Sequence, residues 1–338
     1  MIAVALDTEE VAAASDSVAR PRRRWVTVCV WLVVAVFGLW AALRLLPWDV
    51  HFAWVQLVAF TPTVALLSLI APILALLLRR WIALAAGLAV CAVFATAVLP
   101  RAFPGSNSAA SGPPLRVLAA NLKVGSVPPD ALITLVRDLR PDILAVQELT
   151  PTAAENLRTA GLGELLPFYA GEARAGVGGS GIYSRHPLQL TDLIDFGGFG
   201  QARATVQLPG ARVDVVSVHP CAPSQKSLYQ CWADGLTALP NPDNTPKILL
   251  GDFNATLDHA RVRALLATGY QDAADTTASG LTTTWPATPW TFHGLPIPSV
   301  TLDHIVVDQH TAVHKFTTHL LPETDHRAVY AELTLAAK

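Results

Sequence analysis

The chain has 338 residues, of which 52% are hydrophobic and 15% are charged, and its formal net charge at pH 7 is −2. Its length exceeds that of an average single domain, and its mean hydropathy of +0.40 is high for a soluble globular protein. The small net charge excludes an overall electrostatic attraction for nucleic acid and a strongly acidic field, so charge alone does not identify the partner.

Apolar residues concentrate in the first third of the chain. Three runs, from Trp25 to Leu46, from Trp54 to Leu78 and from Trp81 to Leu99, are each near or above the roughly 20 residues that cross a bilayer. Tryptophans near the ends of these runs favour the headgroup region. We therefore predict a cytoplasmic tail at residues 1–24 and three transmembrane helices within residues 25–99.

The positions of the arginines predict the orientation of these helices. Four arginines between residues 20 and 24 precede the first run, Arg79 and Arg80 separate the second from the third, and residues 47–53 contain no Lys or Arg. The positive-inside rule then places the N-terminus in the cytoplasm and the chain after Leu99 outside it. A cleaved signal peptide followed by a hairpin is the alternative, although the first run is long and lacks a small-residue cleavage pattern. We expect a multi-pass protein of the cell membrane whose C-terminal domain is extracytoplasmic.

A stretch rich in Pro, Gly and Ser at residues 100–114 is typical of a linker, and residues 115–338 have the mixed composition of a globular domain. Helices are predicted at 130–140 and 258–268. The predicted strands cover residues 115–120, 142–146, 181–184, 202–207, 212–218, 247–250, 302–307 and 328–335. Strands that are connected both by hairpins and by helices predict sheets covered by helices on their outer faces.

The four cysteines fall into two pairs. Cys29 and Cys91 lie in predicted spans, where a thiol usually acts as a small apolar group. Cys221 and Cys231 lie in the globular region, and in an extracytoplasmic compartment they could close a disulfide loop. Two unpaired thiols and a zinc site are the alternatives, but the spacing matches no zinc pattern.

Polar side chains stand at the ends of several predicted strands. Gathered at one edge of a sheet, such carboxylates, amides and imidazoles would suit metal-assisted attack on a phosphate ester. Each of them alone has an ordinary explanation as a turn residue, a strand end or a packed histidine. The set comprises Asn121, Glu148, His219, Asp252, Asn254, Asp303, Asp325 and His326.

The residue types also indicate roles. The Glu148 carboxylate is a hard oxygen ligand of the kind that Mg²⁺ prefers. Asp252 and Asn254 are two residues apart, so both side chains would lie on one face of an extended segment and could orient a water and a phosphate oxygen. A carboxylate such as Asp303 that accepts one imidazole N–H of His326 would fix its tautomer and leave the other nitrogen for the substrate.

Together these segments resemble the endonuclease/exonuclease/phosphatase superfamily, whose members include pancreatic-type deoxyribonucleases and neutral sphingomyelinases. The resemblance covers about residues 113–338. It rests on Leu118-Ala119-Ala120-Asn121, Pro141-Asp142-Ile143-Leu144-Ala145-Val146-Gln147-Glu148, Gly181-Ile182-Tyr183-Ser184-Arg185-His186-Pro187-Leu188, Val218-His219, Gly251-Asp252-Phe253-Asn254, Leu302-Asp303-His304-Ile305 and Thr324-Asp325-His326-Arg327.

This resemblance implies a four-layer α/β sandwich of the deoxyribonuclease I type, and it implies Mg²⁺ or Mn²⁺ as cofactor. It implies that Glu148 is the metal ligand with Asn121 as its partner, and that Asp252 and Asn254 orient water and phosphate. Asp325, beside His326, could orient a ligand or water nearby, so we count it with the metal site. His219 and His326 are implied as the two catalytic histidines, with Asp303 supporting His326; whether Asp252 or His326 is the general base stays open. Trp285 would line the substrate groove or lie in the core, and Thr301-Leu302 stands where many relatives have an arginine.

The expected function is a membrane-anchored, extracytoplasmic, divalent-metal-dependent phosphoesterase that hydrolyses phosphodiesters in the manner of a nuclease. The globular region has no concentrated Lys/Arg run, so the sequence favours neither DNA nor RNA, and the predicted bilayer contact makes a lipid substrate equally plausible. The alternatives are a phosphatase or sphingomyelinase-type phospholipase, and an inactive membrane-anchored binding protein. No sequence feature indicates a protein partner, and the spans lack the acidic residues and histidines that mark ion pathways.

Overall fold

The computed structural model describes residues 8–336, except for the side chains of residues 8–23 and of Phe292. The chain forms two compact units. The first comprises the described chain up to Leu45 together with Thr63–Ala97, and the second comprises Leu46–Pro62 together with the described chain from Val98 onward.

The N-terminal region is helical. Its helices are α1 (Thr8–Leu45), α2 (Phe52–Val58), α3 (Thr61–Leu67), α4 (Ile70–Leu77) and α5 (Trp81–Val98), followed by a 3-10 helix at Leu99–Ala102. Helix α1 begins within the segment predicted as a cytoplasmic tail, of which residues 1–7 lie outside the described residues. In the part of the chain that the structure describes, Arg24–Leu45 and Trp81–Ala102 are long and apolar enough to cross a membrane, and a third crossing exists if two bent helices count as one.

The predicted second span is interrupted between α2 and α3. Pro62 has no backbone N–H, so it cannot donate to the carbonyl of Val58 one helical turn earlier. That carbonyl instead accepts a hydrogen bond of 2.7 Å from the hydroxyl of Thr61. The apolar run from Trp54 to Leu78 is therefore bent at this point and is not one continuous helix.

The second unit contains two six-stranded sheets. Its strands are β1 (Pro114–Asn121), β2 (Ile143–Gln147), β3 (Phe168–Glu172), β4 (Ser180–Ser184), β5 (Leu188–Phe196), β6 (Phe199–Leu208), β7 (Ala211–Val218), β8 (Lys247–Asp252), β9 (Tyr270–Asp272), β10 (Thr291–Phe292), β11 (Leu295–Pro296), β12 (Asp303–Asp308), β13 (Thr311–Leu320) and β14 (Arg327–Leu335). Its helices are α6 (Pro129–Leu139), α7 (Pro151–Thr159), α8 (Leu162–Leu165), α9 (Tyr229–Thr237), α10 (Ala260–Ala267) and α11 (Ala273–Thr276), with a second 3-10 helix at Lys226–Leu228. One sheet has the order β13-β14-β1-β2-β4-β3, the other has the order β5-β6-β7-β8-β12-β9, and β10 and β11 form a separate hairpin.

The alternation of side chains along the central strands produces a layered core. In β1, Val117 and Ala119 belong to the cluster that fills the space between the sheets. Leu118 and Ala120 belong to a second cluster with residues of α6 and α7, and a third cluster joins the other sheet to α9 and α10. Because each sheet packs on its partner with one face and on helices with the other, the unit is the predicted four-layer α/β sandwich.

Strand register brings the predicted polar residues to one edge. Strand β1 is parallel to β2, with Asn121 paired to Gln147, and β7 is parallel to β8. Strand β12 is antiparallel to β8, and its first residue, Asp303, lies directly opposite Asp252. The carboxyl ends of β1, β2, β7 and β8 and the starts of β12 and β14 therefore meet at the same end of the sandwich.

Residues 46–62 and the segment after α5 pack as part of the second unit. The Asp49 carboxylate accepts hydrogen bonds from the backbone N–H groups of Ala260 and Arg261, at 2.9 and 3.3 Å, at the start of α10. Within the predicted linker, the Arg101 guanidinium makes two hydrogen bonds of 2.9 and 2.7 Å to the fully buried Asp258 carboxylate.

Candidate active site

Asn121 joins two carboxylates that stand at the ends of strands in the two facing sheets. Its amide nitrogen lies 3.2 Å from Oε1 of Glu148 and 3.1 Å from Oδ2 of Asp252, so it donates to a residue of each sheet. Its Oδ1 accepts from the backbone N–H of Lys123 at 2.9 Å. Asn121 therefore orients the Glu148 carboxylate, whose oxygens could bind a cation.

The backbone around Glu148 adopts an unusual conformation. Glu148 itself has φ of 55°, and the turn that faces it has positive φ at Lys123, Val124 and Gly125. This turn directs the Val124 N–H to Oε2 of Glu148 at 2.7 Å. Left-handed backbone at a non-glycine residue persists only where surrounding contacts impose it, and such residues concentrate at functional sites.

Asp252 and Asn254 follow strand β8 as predicted from their spacing. Oδ1 of Asp252 accepts from the backbone N–H of Asn254 at 2.8 Å, and Asn254 has φ of 47°, which asparagine tolerates better than most residues. The preceding Gly251 has φ of 140°, and a Cβ there would lie 2.4 Å from the carbonyl oxygen of Val218. Only glycine fits this position, because β7 approaches the backbone closely just before the site.

His326 lies between two buried carboxylates. Its Nδ1 is 2.9 Å from Oδ2 of Asp303, and its Nε2 is 3.6 Å from Oδ2 of Asp252. Burial disfavours the charged imidazole, but the negative charges of Asp303 and Asp252 outweigh that effect and raise the pKa of His326 to about 10. At neutral pH the ring is a cation that can stabilise negative charge on a phosphate.

His219 occupies the centre of the same edge. Its Nε2 lies 3.7 Å from Oε1 of Glu148 and 3.8 Å from Oδ2 of Asp252. The Gln201 side chain accepts from the backbone N–H of His219 at 3.1 Å and donates to the Gly235 carbonyl. Burial lowers the pKa of His219, although the charge of Asp252 opposes this, so the ring is neutral at pH 7 and presents one donor and one acceptor nitrogen.

The charge balance of this site fits a divalent cation. Burial raises the pKa of Glu148, against the hydrogen bonds from Asn121 and Val124, and burial also raises the pKa of Asp252. The site has three carboxyl groups, Glu148, Asp252 and Asp303, for one cationic side chain, His326. Burial disfavours the ionised forms of Glu148 and Asp252, and a bound divalent cation would stabilise them. Oxygen donors of this kind suit Mg²⁺ or Mn²⁺, with Glu148 and Asp252 as the carboxylates that would hold it.

A second grouping of possible metal ligands overlaps with this one. Among the described residues, Asp252, Asp303 and His326 offer ligand atoms within 4.8 Å of one another. The short His326–Asp303 contact occupies Nδ1, so we interpret these three residues as a hydrogen-bonded acid-base group rather than as a metal centre. Asp252 is common to both groupings and connects them.

Asp325 and Trp285 lie at the rim of the site. The indole N–H of Trp285 donates to Oδ2 of Asp325 at 3.1 Å, and Nζ of Lys123 is 3.8 Å from Oδ1. Besides burial, the negative charge of Asp325 raises the pKa of Glu148, so Asp325 lies near the predicted metal site. The Trp285 ring packs edge to face against the half-exposed Trp290, with ring centroids 5.5 Å apart.

Several residues that support the site were not singled out from the sequence. The Thr284 hydroxyl accepts from the backbone N–H groups of Leu302 and Asp303, both at 3.0 Å. The Thr324 hydroxyl donates to the Asn121 carbonyl and accepts from the N–H of His326. Buried Gln147 donates to the Ser217 hydroxyl in the facing sheet. Each of the three adjoins a predicted site residue, Glu148, Asp325 or Trp285, and this position in the chain was the available signal.

The sequence of residues 118–326 matches the Endonuclease/Exonuclease/phosphatase family, and this match spans more than half of the chain. The chain belongs to this family. Members of the Endonuclease/Exonuclease/phosphatase family are phosphoester hydrolases and generally use divalent metals.

Solved structures show the same fold. An endonuclease/exonuclease/phosphatase from Beutenbergia cavernae is 17% identical, with a TM-score of 0.50 over 66% of this chain and 72% of that one. A humanised TDP2 from D. rerio is 15% identical, with a TM-score of 0.52 over 65% of this chain and 99% of that one. A comparison with curated proteins found no match.

Proposed function

We propose that this chain is a membrane-anchored phosphoesterase that hydrolyses phosphodiesters in a divalent-metal-dependent reaction. The observation that carries the proposal is the convergence of Asn121, Glu148, His219, Asp252 and the Asp303–His326 pair at one end of the sandwich. A surface that only bound ligands would not need both a buried acid-base pair and a carboxylate suited to metal.

The side chains divide the reaction between them. Glu148 and Asp252 would hold Mg²⁺ or Mn²⁺, which when bound neutralises phosphate charge and polarises a phosphate oxygen. Asp252 lies within reach of both histidines and can accept a proton from the attacking water, while cationic His326 stabilises charge on the phosphate. Asn254 would donate its second amide N–H to a phosphate oxygen, and neutral His219 can donate a hydrogen bond to the phosphate. Cationic His326 carries the proton that the leaving oxygen requires.

A substrate panel tests this proposal on the full chain in detergent or nanodiscs. Plasmid DNA, RNA, sphingomyelin-type lipids and inositol phosphates are incubated with Mg²⁺ or Mn²⁺, and with EDTA as the metal-free arm. We expect at least one substrate to be hydrolysed only with metal. The absence of hydrolysis in every arm would contradict the proposal and support a binding protein that has lost catalysis.

Two variants test the assigned residues on the substrate found. Glu148→Gln should lower kcat at least about 100-fold, since metal-ion stabilisation contributes several kcal/mol. The matched control, Glu164→Gln, changes an exposed glutamate in α8 and should leave kcat unchanged. His326→Ala should lower kcat by about 10²- to 10⁴-fold, and full activity of either site variant would refute its assigned role.

A lipid phosphoester is the second candidate substrate, as a target of a phospholipase or phosphatase. The observation that favours it is the exposure of Trp290 and Leu295, 47% and 71%, in and beside the β10–β11 hairpin near Trp285. Turnover of a lipid but not of DNA or RNA in the panel would select this candidate.

We also propose that the catalytic domain lies outside the cytoplasm, with the N-terminus inside. The arginines around the apolar helices support this orientation. Alkaline phosphatase fused after Lys338 should be active, since that enzyme folds only in an oxidising compartment. A fluorescent cytoplasmic reporter at the same position should be dark, and the reverse pattern would overturn the orientation.

A further inference from the structure

Two contacts from outside strand β8 hold Asn254 in place. The carbonyl oxygen of Pro220 accepts a hydrogen bond of 3.1 Å from the Asn254 side-chain amide. The indole N–H of Trp232, which is fully buried in α9, donates to the Asn254 main-chain carbonyl at 3.0 Å. These contacts fix both the side chain and the left-handed backbone of the residue assigned to the phosphate.

The two residues that hold Asn254 are chain neighbours of a bonded cysteine pair. Pro220 precedes Cys221, Trp232 follows Cys231, and the two cysteines form a disulfide with a Cα separation of 5.7 Å. Cys221 is fully buried, and the disulfide packs under the turn between β5 and β6, where a Cβ on Gly197 would lie 2.6 Å from Sγ of Cys231. The covalent link thus connects the two contacts to each other.

We propose that the Cys221–Cys231 disulfide and Trp232 are positioning elements of the active site, which act through Asn254 and make full turnover depend on the oxidised protein. This inference rests on the proposed phosphoesterase function. An amide has two N–H donors, and the Pro220 contact uses one and aims the other. Without the disulfide, the loop after β7 and the first turn of α9 can move independently, and Asn254 loses its orientation relative to Asp252.

Reduction of this disulfide has a defined chemistry. Tris(2-carboxyethyl)phosphine attacks one sulfur and breaks the S–S bond; water then supplies the oxygen of the phosphine oxide and the protons of the two thiols. Two electrons pass from phosphorus to sulfur. The only covalent connection between the two chain segments is then the backbone between residues 221 and 231.

The first experiment removes the indole donor in the full chain. Trp232→Phe keeps an aromatic ring but deletes the N–H, and we expect kcat to fall about 10- to 100-fold, as expected for a displaced catalytic group. The matched control is Tyr229→Phe on the same helix, which deletes only the hydroxyl that donates to the Asp49 carbonyl. This control should keep the kcat of the parent.

The second experiment tests whether the disulfide acts through Asn254. Phosphine reduction of the parent, and the Cys221→Ser/Cys231→Ser variant, should each lower kcat about 10-fold or more. In an Asn254→Ala background the same treatments should change kcat less than about two-fold, because residues that act as one unit are not additive. If kcat fell by the same factor in that background as in the parent, the proposal would be overturned, and the disulfide would only stabilise the fold in general.

Hydrogen exchange separates failure of this inference from failure of the proposed function. The backbone amides of residues 251–256 should exchange faster in the reduced protein and in Trp232→Phe, whether or not a substrate is known. Unchanged exchange in this segment contradicts the inference even if hydrolysis is strong. Faster exchange in a protein that hydrolyses no phosphoester leaves the positioning role intact and refutes only the phosphoesterase assignment.

Discussion

Thr284 connects the backbone of Asp303 to the loop before β10, and loss of its hydroxyl should lower both stability and turnover. Its buried hydroxyl accepts from the N–H groups of Leu302 and Asp303, both at 3.0 Å. Thr284→Val preserves the shape of the side chain but leaves these two donors without an acceptor. Each unsatisfied buried donor costs about 1–3 kcal/mol, so the free energy of unfolding should fall by about 2–6 kcal/mol. We expect a loss in the lower half of this range, because Leu302 is only partly buried.

Pulse proteolysis of the full chain in urea measures this loss. With a urea dependence of about 3 kcal/mol per molar, a loss of about 3 kcal/mol lowers the midpoint by about 1 M. The kcat should fall about 10-fold or more, because the Asp303 carboxylate then holds His326 less firmly. Thr284→Ser is the matched control, since it keeps the acceptor and loses one methyl group. A serine variant as impaired as the valine variant, or a valine variant with parental midpoint and kcat, would refute this reasoning.

Two further predictions concern segments that precede β1 in the chain, both measured by the same urea midpoint. Arg101→Met should lower the free energy of unfolding by about 3–5 kcal/mol, because it removes the side chain that makes two hydrogen bonds to the buried Asp258 carboxylate. Adding Asp258→Asn should restore part of that loss. If the effects of the two changes were strictly additive, the ion-pair explanation would be contradicted. Asp49→Ala should cost about 1–3 kcal/mol of unfolding free energy by removing the acceptor at the start of α10, whereas Asp49→Asn should cost less. A midpoint equal to that of the parent would show that the Asp49 carboxylate adds no stability.

The central strands were predictable because their patterns reflect burial. The eight strands and two helices predicted from apolar runs are present, with ends shifted by a few residues. Strand β5 was not predicted, because it lies at a sheet edge with mostly exposed side chains and lacks the apolar run of a central strand. The ten-residue strand β13 was missed for the same reason, since several of its residues are polar and only partly covered.

The amino-acid sequence by itself determined the residue types of the site and their placement at strand ends, because a buried strand must be apolar until it reaches the edge where chemistry occurs. It also determined the apolar helices, since composition and length are local properties. Only the tertiary structure decided which groups touch. The Asp252–Asp303 pairing depends on the register of β8 and β12, Thr284 reaches Asp303 through a loop, and Asn254 is held by Pro220 and Trp232 from two other segments. These contacts join residues distant in the chain, and no local pattern encodes the register and packing that bring them together.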